Sequence, residues 1–341
     1  MSIDLKTRYL GLDLASPIVA SSTPMTLDLA HVRRLEAAGA GAVILPSLFE
    51  EEILHEDMEL NRSLDAGTEQ FAEALGYFPE MGAMQGVGDR YLERLARVKA
   101  SVSIPVIASL NAATTGGWVR YARLMQDAGA DAVELNLYHV VADPAMSATD
   151  REETDLELIA AVRAAVTIPL AVKLSPYYSA LANFAGRAVA AGADGLVLFN
   201  RFYQPDLDLE TFDVLTKVSL SHPSELRMPL RWIAILRPQL GAGVGLAATS
   251  GIHEGTDAVK ALLVGADVAM VASAVLRNGP EQVGRIREGL VAWMTEREYE
   301  SVGQLRGAAT SATVEDPTAF ERANYMATLH SWSSPTSLVG G

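Results

Sequence analysis

The chain has 341 residues, 49% hydrophobic and 20% charged, enough apolar material for one large globular core or two smaller ones. A formal net charge of -15 would repel phosphate backbones and anionic bilayers, so nucleic acid and membrane surfaces are disfavoured as partners. With no cysteine, disulfides, thiolate-held iron–sulfur clusters and a cysteine nucleophile or base are excluded.

The N-terminal stretch MSIDLKTRYLGLDL has neither the apolar core nor the cleavage pattern of a signal peptide. Nowhere does an uncharged apolar run reach the roughly 18 residues of a membrane span, so a soluble cytoplasmic protein is expected. Eight short apolar runs then follow, near 17–21, 42–46, 105–110, 132–137, 169–174, 195–199, 245–249 and 267–272. Four are entered by one recurring phrase, AAGAGAVIL at Ala37, DAGADAVELNL at Asp127, AAGADGLVLF at Ala190 and LVGADVAMVA at Leu263. In each, glycine after an amphipathic stretch relieves a left-handed helix cap, and a β-branched run reads as a buried parallel strand. SIPVIASL at Ser103 and TIPLAVKL at Thr167 place proline at a strand entry, where its missing amide hydrogen is tolerated.

Eight strands alternating with helices over about 250 residues point to a (β/α)8 barrel, with an open doubly wound sheet as the alternative. Residues 1–310 form the barrel in this reading, with long βα-loop insertions at 47–88 after the second strand and 200–244 after the sixth. Residues 311–332 are expected to form one C-terminal helix packed on the barrel or on a neighbouring subunit, and 333–341 a disordered tail.

A barrel of this kind carries its chemistry at the carboxyl ends of its strands. Those positions are Ala20 and Ser21, Pro46 and Ser47, Ser109 and Asn111, Asn136, Lys173, Asn200, Ser250 and Gly251, and Ala272 and Ser273. Asn136 within VELNL and Asn200 at the end of VLFN are amides at buried positions, which a flat heterocycle with alternating donors and acceptors would satisfy; loop capping is the competing role. Lys173 at the end of PLAVKL needs an anion or delocalised negative charge nearby, and a salt bridge to Glu134 is the alternative. The small turns at Ser250–Gly251 and Ala272–Ser273 suit a phosphate held by backbone amides, or simply tight turns. The six histidines form neither HxH nor HExxH, so no metal site is expected.

From about Leu12 to Val302 the chain resembles the flavin-dependent dihydroorotate dehydrogenases. The resemblance rests on AGADAVELNL from Ala128, IPLAVKLSPY from Ile168, AGADGLVLFN from Ala191 and TSGIHEGTDAVKALLVGADVAMVASAV from Thr249. It implies a bound flavin mononucleotide (FMN), with Ala20, Ser21, Ser47, Asn111, Asn136 and Lys173 around its ring. Ser250, Gly251, Ala272 and Ser273 would hold its phosphate, and Asn136 and Asn200 would face a small-molecule substrate. YFPE at Tyr77, FNRFYQPD at Phe199 and FERANYM at Phe320 are similar to a dihydroorotate dehydrogenase-like subset of that family.

The pattern changes on the substrate side. ELNLYHVV stands where the family reads ELNLSCPN, so the catalytic cysteine or serine aligns with His139 and the next substrate asparagine with Val141. Pro46 replaces a family lysine, Glu73 a substrate-loop asparagine and Arg201 a threonine or serine. The resulting expectation is an FMN oxidoreductase acting on a small dihydropyrimidine-like or carboxylate-like molecule, with true dihydroorotate oxidation disfavoured by the replaced base. His139 is the leading base, since histidine titrates near neutral pH, and Tyr138 the second; Arg201 would clamp a carboxylate. For His139 the alternative is a loop residue bonding Asp143 or Asp150. Two other functions stay open: a flavin-binding protein without its own turnover, and a flavin-free phosphate barrel using Lys173 as a Schiff-base lysine. A homodimer is expected by analogy with soluble relatives, and the sequence does not name the electron acceptor.

Overall fold

Strand periodicity decides which residues meet in this structure, a computed structural model that describes residues 3–53, 86–111, 118–202, 204–215, 218–320 and 329–330. The twelve strands among the described residues are numbered in chain order. The first two, β1 (Thr7–Tyr9) and β2 (Leu12–Leu14), form an antiparallel hairpin. The next six, β3 (Ile18–Ala20), β4 (Ala42–Phe49), β5 (Val106–Asn111), β6 (Ala132–Asn136), β7 (Leu170–Leu174) and β8 (Gly195–Leu198), run parallel, each beside its predecessor. A small exposed hairpin, β9 (Asp206–Leu207) with β10 (Val214–Leu215), interrupts the series. Then β11 (Gly245–Thr249) and β12 (Val268–Val271) return to β3 and close the barrel. All eight barrel strands fall on the apolar runs of the sequence.

Alternate residues along each strand point to opposite faces. Val19, Ile44, Ile107, Ala132, Ala171, Val197, Ala247, Val268 and Met270 form the cluster that fills the lumen. Ile18, Val43, Val106, Val133, Val172, Leu196, Leu246 and Ala269 instead pack outward beneath the helices. The β1–β2 hairpin, which the sequence reading passed over, contributes Tyr9, Leu10 and Leu14 to the lumen cluster and so plugs the amino-terminal end. Leu10 reaches Gly195, where an added Cβ would stand 2.5 Å from the leucine side chain.

The recurring glycine phrase is the barrel's standard helix-to-strand turn. Gly39, Gly129, Gly192 and Gly265 have φ of +89°, +95°, +117° and +107°, the left-handed cap conformation. The aspartate that follows three of them latches the neighbouring strand. Asp131 accepts from the amide of Val106, Asp194 from that of Leu170 and Asp267 from that of Leu246, each within 2.8 Å. Lys99, Arg163 and Arg237 neutralise these three carboxylates. The aspartates therefore serve the amino-terminal end of the barrel and leave the other end for chemistry.

Two boundaries differ from the sequence reading. The insertion read as 200–244 ends sooner, because Arg227–Leu240 is the barrel helix between β8 and β11, packed through Ile233, Ala234 and Leu236. At the C-terminus, residues 306–315 form turns and bends, and Pro317–Phe320 is a single 3-10 turn. Most of the remaining segment read as 311–332 and 333–341 lies outside the described residues, as do Glu73 and the YFPE phrase. Among the described residues no helix is long and apolar enough to cross a membrane, and no group of acidic or histidine side chains could hold a metal ion.

Candidate functional site

A cavity of about 340 Å³ opens at the carboxyl ends of the strands. Inward alternation brings Ser21, Ser47, Asn111, Asn136 and Lys173 into its lining from five consecutive strands. The turns at Ser250–Gly251 and Ala272–Ser273 face them across it.

The ring side of the cavity is a linked polar network. Asn136 Nδ2 donates to Ser47 Oγ at 3.0 Å and to Ser109 Oγ at 2.9 Å, and the two hydroxyls lie 2.8 Å apart. With both amide hydrogens engaged, Asn136 Oδ1 remains as an acceptor. Behind the network, the Tyr91 hydroxyl accepts from the amide of Ser109 at 3.0 Å. Burial pushes the Tyr91 phenol upward, so it persists as a neutral group.

Lys173 has the partner that the structural alternative named. Its Nζ lies 3.7 Å from Oε1 of Glu134, one inward position below Asn136 on β6. Glu134 is fully buried, and neither carboxylate oxygen has a hydrogen-bond partner. Lys173 is thus a cation between a buried anion and the cavity. The Tyr9 hydroxyl beneath is also buried and unpartnered; burial, then the charges of Glu134 and Asp267, raise its pKa.

At the opposite end, Ser221 from the insertion after β8 joins the two turns. Its amide donates to Ser273 Oγ at 2.9 Å, while its Oγ accepts from the Gly251 amide and lies 3.4 Å from His253 Nε2. Ser250 and Gly251 both have left-handed backbones, with φ of +75° and +74°. Burial, and then Arg277, hold His253 below the ordinary histidine range, keeping the imidazole neutral at this end.

Three residues named from the sequence are placed elsewhere or engaged otherwise. Ala20 does not line the cavity: it packs outward with Ile18, and Ser21 and Ser22 take the inward side. His139 is turned away. Continuing the inward series Ala132, Glu134, Asn136 brings Tyr138 to the cavity, whereas His139 belongs to the outward series and approaches Asp155, with Nε2 3.2 Å from Oδ1. Neither Asp143 nor Asp150 is that partner. Arg201 borders the cavity, but its guanidinium bridges Glu225, with Nε 2.8 Å from Oε2, and also donates to the Ser219 carbonyl.

Asn200 does border the cavity, and its Nδ2 donates to the carbonyls of Leu137 and Lys173 at 2.9 and 3.1 Å, leaving Oδ1 as an acceptor. Ser221, Thr249, Phe199 and Met270 also line the cavity. Period-two alternation from Gly251, the lumen residue Val197 and Ala272 identifies Thr249, Phe199 and Met270 in turn. Nothing local identifies Ser221, which arrives on a long loop.

The sequence model of the family described as dihydroorotate dehydrogenase matches residues 4–294. The chain belongs to the dihydroorotate dehydrogenase family. Among its curated relatives is the dihydroorotate dehydrogenase B (NAD(+)) catalytic subunit of Methanothermobacter thermautotrophicus. The two are 26% identical over 315 residues, covering 89% of this chain and 98% of that protein. The corresponding subunit of Trichlorobacter lovleyi is 30% identical over 253 residues, covering 71% and 80% of the two chains. A protein of Aeropyrum pernix named putative dihydroorotate dehydrogenase A (fumarate) is 28% identical over 228 residues, 64% of this chain and 72% of that one. As a member of the dihydroorotate dehydrogenase family, the chain is an oxidoreductase acting on CH–CH groups.

Proposed function

We propose that this dihydroorotate dehydrogenase-family protein is an FMN-dependent oxidoreductase whose substrate is a small dihydropyrimidine-like molecule rather than dihydroorotate itself. The observation that carries this is the convergence of amide, hydroxyl and ammonium groups from five strands on one side of a cavity, facing two small-residue turns on the other. The donor set fits FMN. Asn136 Oδ1 can accept from a ring N–H, Lys173 supplies positive charge beside an electron-rich ring edge, and Ser250, Gly251, Ala272 and Ser273 form the end suited to a phosphate. FMN, when bound, supplies a hydride acceptor.

The chain's own residues shape the substrate half. Asn111, Asn200 and Tyr138 border the cavity, and the acceptor left on Asn200 suits the N–H of a cyclic amide. Tyr138 is the group placed to exchange a proton with the substrate, because it occupies the inward position that His139 lacks. Glu225 already occupies Arg201, which favours a substrate without an obligatory carboxylate. Lys173 as a Schiff-base nucleophile is disfavoured by its ion pair with Glu134.

The purified protein should be yellow and release FMN on denaturation; a colourless protein that fails to bind added FMN removes the reading. Under anaerobic conditions dihydropyrimidines lacking the carboxylate should bleach the flavin faster than dihydroorotate does. Faster bleaching by dihydroorotate would restore the family's reaction to this chain.

A further inference from the structure

Beneath the mouth the barrel lumen is packed with Val19, Ile44, Ile107, Ala132, Ala171 and Val197, and into this apolar filling β6 sends Glu134. In the parallel register Glu134 stands beside Ala171 and Asn136 beside Lys173. The glutamate therefore lies one inward step, about 6.6 Å along the strand, below the level of Asn136 and Lys173. Its side chain is 0% exposed and neither carboxylate oxygen accepts a hydrogen bond; Lys173 Nζ, 3.7 Å away, is its ion-pair partner among the described residues. Burial raises the Tyr9 and Tyr91 phenols and the charge of Glu134 adds to both rises, so both stay neutral. Asp267, the other acid that acts on Tyr9, is neutralised by Arg237 and Arg306.

Stability does not explain this pair. A carboxylate taken out of water recovers its solvation through close, aligned donors, and apolar residues of similar volume commonly hold a core at least as well. Glu134 has no such donor. What the pair does set is charge at the mouth. Lys173, 13% exposed, lines the cavity next to Asn136. An ammonium alone there would bias the site strongly toward negative charge, whereas the carboxylate behind it offsets that charge and draws the ammonium back from the cavity.

We propose that Glu134 is a positioning residue that acts through Lys173 to set the reduction potential of the FMN held at the mouth, an inference that rests on the FMN reading above. A hydride carries two electrons and one proton, so a neutral ring that accepts it gains one negative charge. Charge fixed beside the ring then decides how much more tightly the reduced form is held than the oxidised form. Lys173 favours the reduced form. Glu134, one step deeper, subtracts from that preference, so the pair grades the potential where a lone lysine would maximise it.

Anaerobic calorimetric titration of cofactor-stripped protein with oxidised FMN and with dithionite-reduced FMN tests this. The ratio of the two dissociation constants reads the potential, because the two are linked through one thermodynamic cycle. Glu134→Gln should shift the ratio at least about tenfold toward the reduced form, equivalent to about 30 mV for a two-electron couple. Glu134→Asp, which keeps the charge, should stay within about threefold of the parent. The double variant Glu134→Gln/Lys173→Met should shift toward the oxidised form, because it also removes the ammonium, the nearer member of the pair. A glutamate with a merely structural role would weaken both forms alike. A smaller shift in the Gln variant, a shift of the Asp variant as large as that of Gln, or a double variant that moves toward the reduced form would each overturn the proposal. Thermal melts matching the parent's verify folding, and Glu134→Met takes the place of Glu134→Gln if the latter does not fold. A parent protein that binds neither form of FMN removes the FMN reading and this inference with it. A parent that binds both, with the ratio unmoved in the Gln variant, removes this inference alone.

Discussion

Deleting Lys173 should destabilise the barrel more than deleting its partner Glu134, although each deletion breaks the same ion pair. At an effective dielectric of about 20, unit charges 3.7 Å apart attract by about 4.5 kcal/mol. The two ions differ in their access to water. Glu134 is 0% exposed with no hydrogen bond to either oxygen, whereas Lys173 is 13% exposed and borders the cavity. Lys173→Met therefore strands a fully desolvated carboxylate, at a cost of about 3–5 kcal/mol. Glu134→Gln leaves an ammonium that cavity water can solvate, with an expected loss of about 1–3 kcal/mol. The double variant removes both charges and should recover much of the loss, giving a coupling of about 2 kcal/mol in the cycle. Urea unfolding followed by circular dichroism on cofactor-stripped protein measures all four corners without ligand linkage. Equal losses for the two single variants, or strict additivity in the double, would refute the assignment of Glu134 as a buried counter-ion.

Tyr138→Phe should retain FMN but slow substrate-driven flavin reduction by about 10²–10⁴-fold, whereas His139→Gln should leave that rate within a few-fold of the parent; stopped-flow reduction distinguishes the two. Gly251→Ala introduces a Cβ 2.5 Å from the Leu226 amide at a φ of +74°, and should cost about 1–3 kcal/mol in urea unfolding while lowering FMN affinity. His253 titrates below its unfolded value because burial, then Arg277, disfavour its charged form. Its contribution to stability is thus complete above the unfolded pKa and is lost as pH falls through the folded one. His253→Gln should flatten the decline in unfolding free energy between pH 8 and 5, and an unchanged slope would refute this.

The apolar runs were legible because a parallel barrel strand is buried on both faces and its sequence says so directly; all eight barrel strands appear where those runs lie. The glycine phrase was equally local, since the left-handed cap at Gly39, Gly129, Gly192 and Gly265 is a property of single residues. Alternation along β6 even contains the division between Tyr138 and His139, but an alignment-based reading assigns the base by position in a motif and overlooks which face the strand presents. The β1–β2 hairpin was missed because three-residue strands carry too little pattern to register.

Other features depend on packing between segments remote in sequence. Asp155 lies sixteen residues beyond His139 and, unlike Asp143 and Asp150, becomes its partner only when the helix Ala148–Ala165 docks against the β6 loop. Glu225 captures Arg201, and Ser221 bridges Gly251 to Ser273, because the insertion after β8 folds back over the mouth. A cavity of about 440 Å³ beside the barrel mouth arises in the same way, where the loops leaving β6 and β7 and Phe202 meet the helix Ala148–Ala165. Sequence alone therefore determined the barrel, its standard turns and the roll of groups at its mouth, since those follow from burial and from local backbone preference. The tertiary structure alone decided which of those groups remain available to a ligand, because each hydrogen bond or ion pair made within the protein removes a donor, an acceptor or a charge from the set the sequence displays.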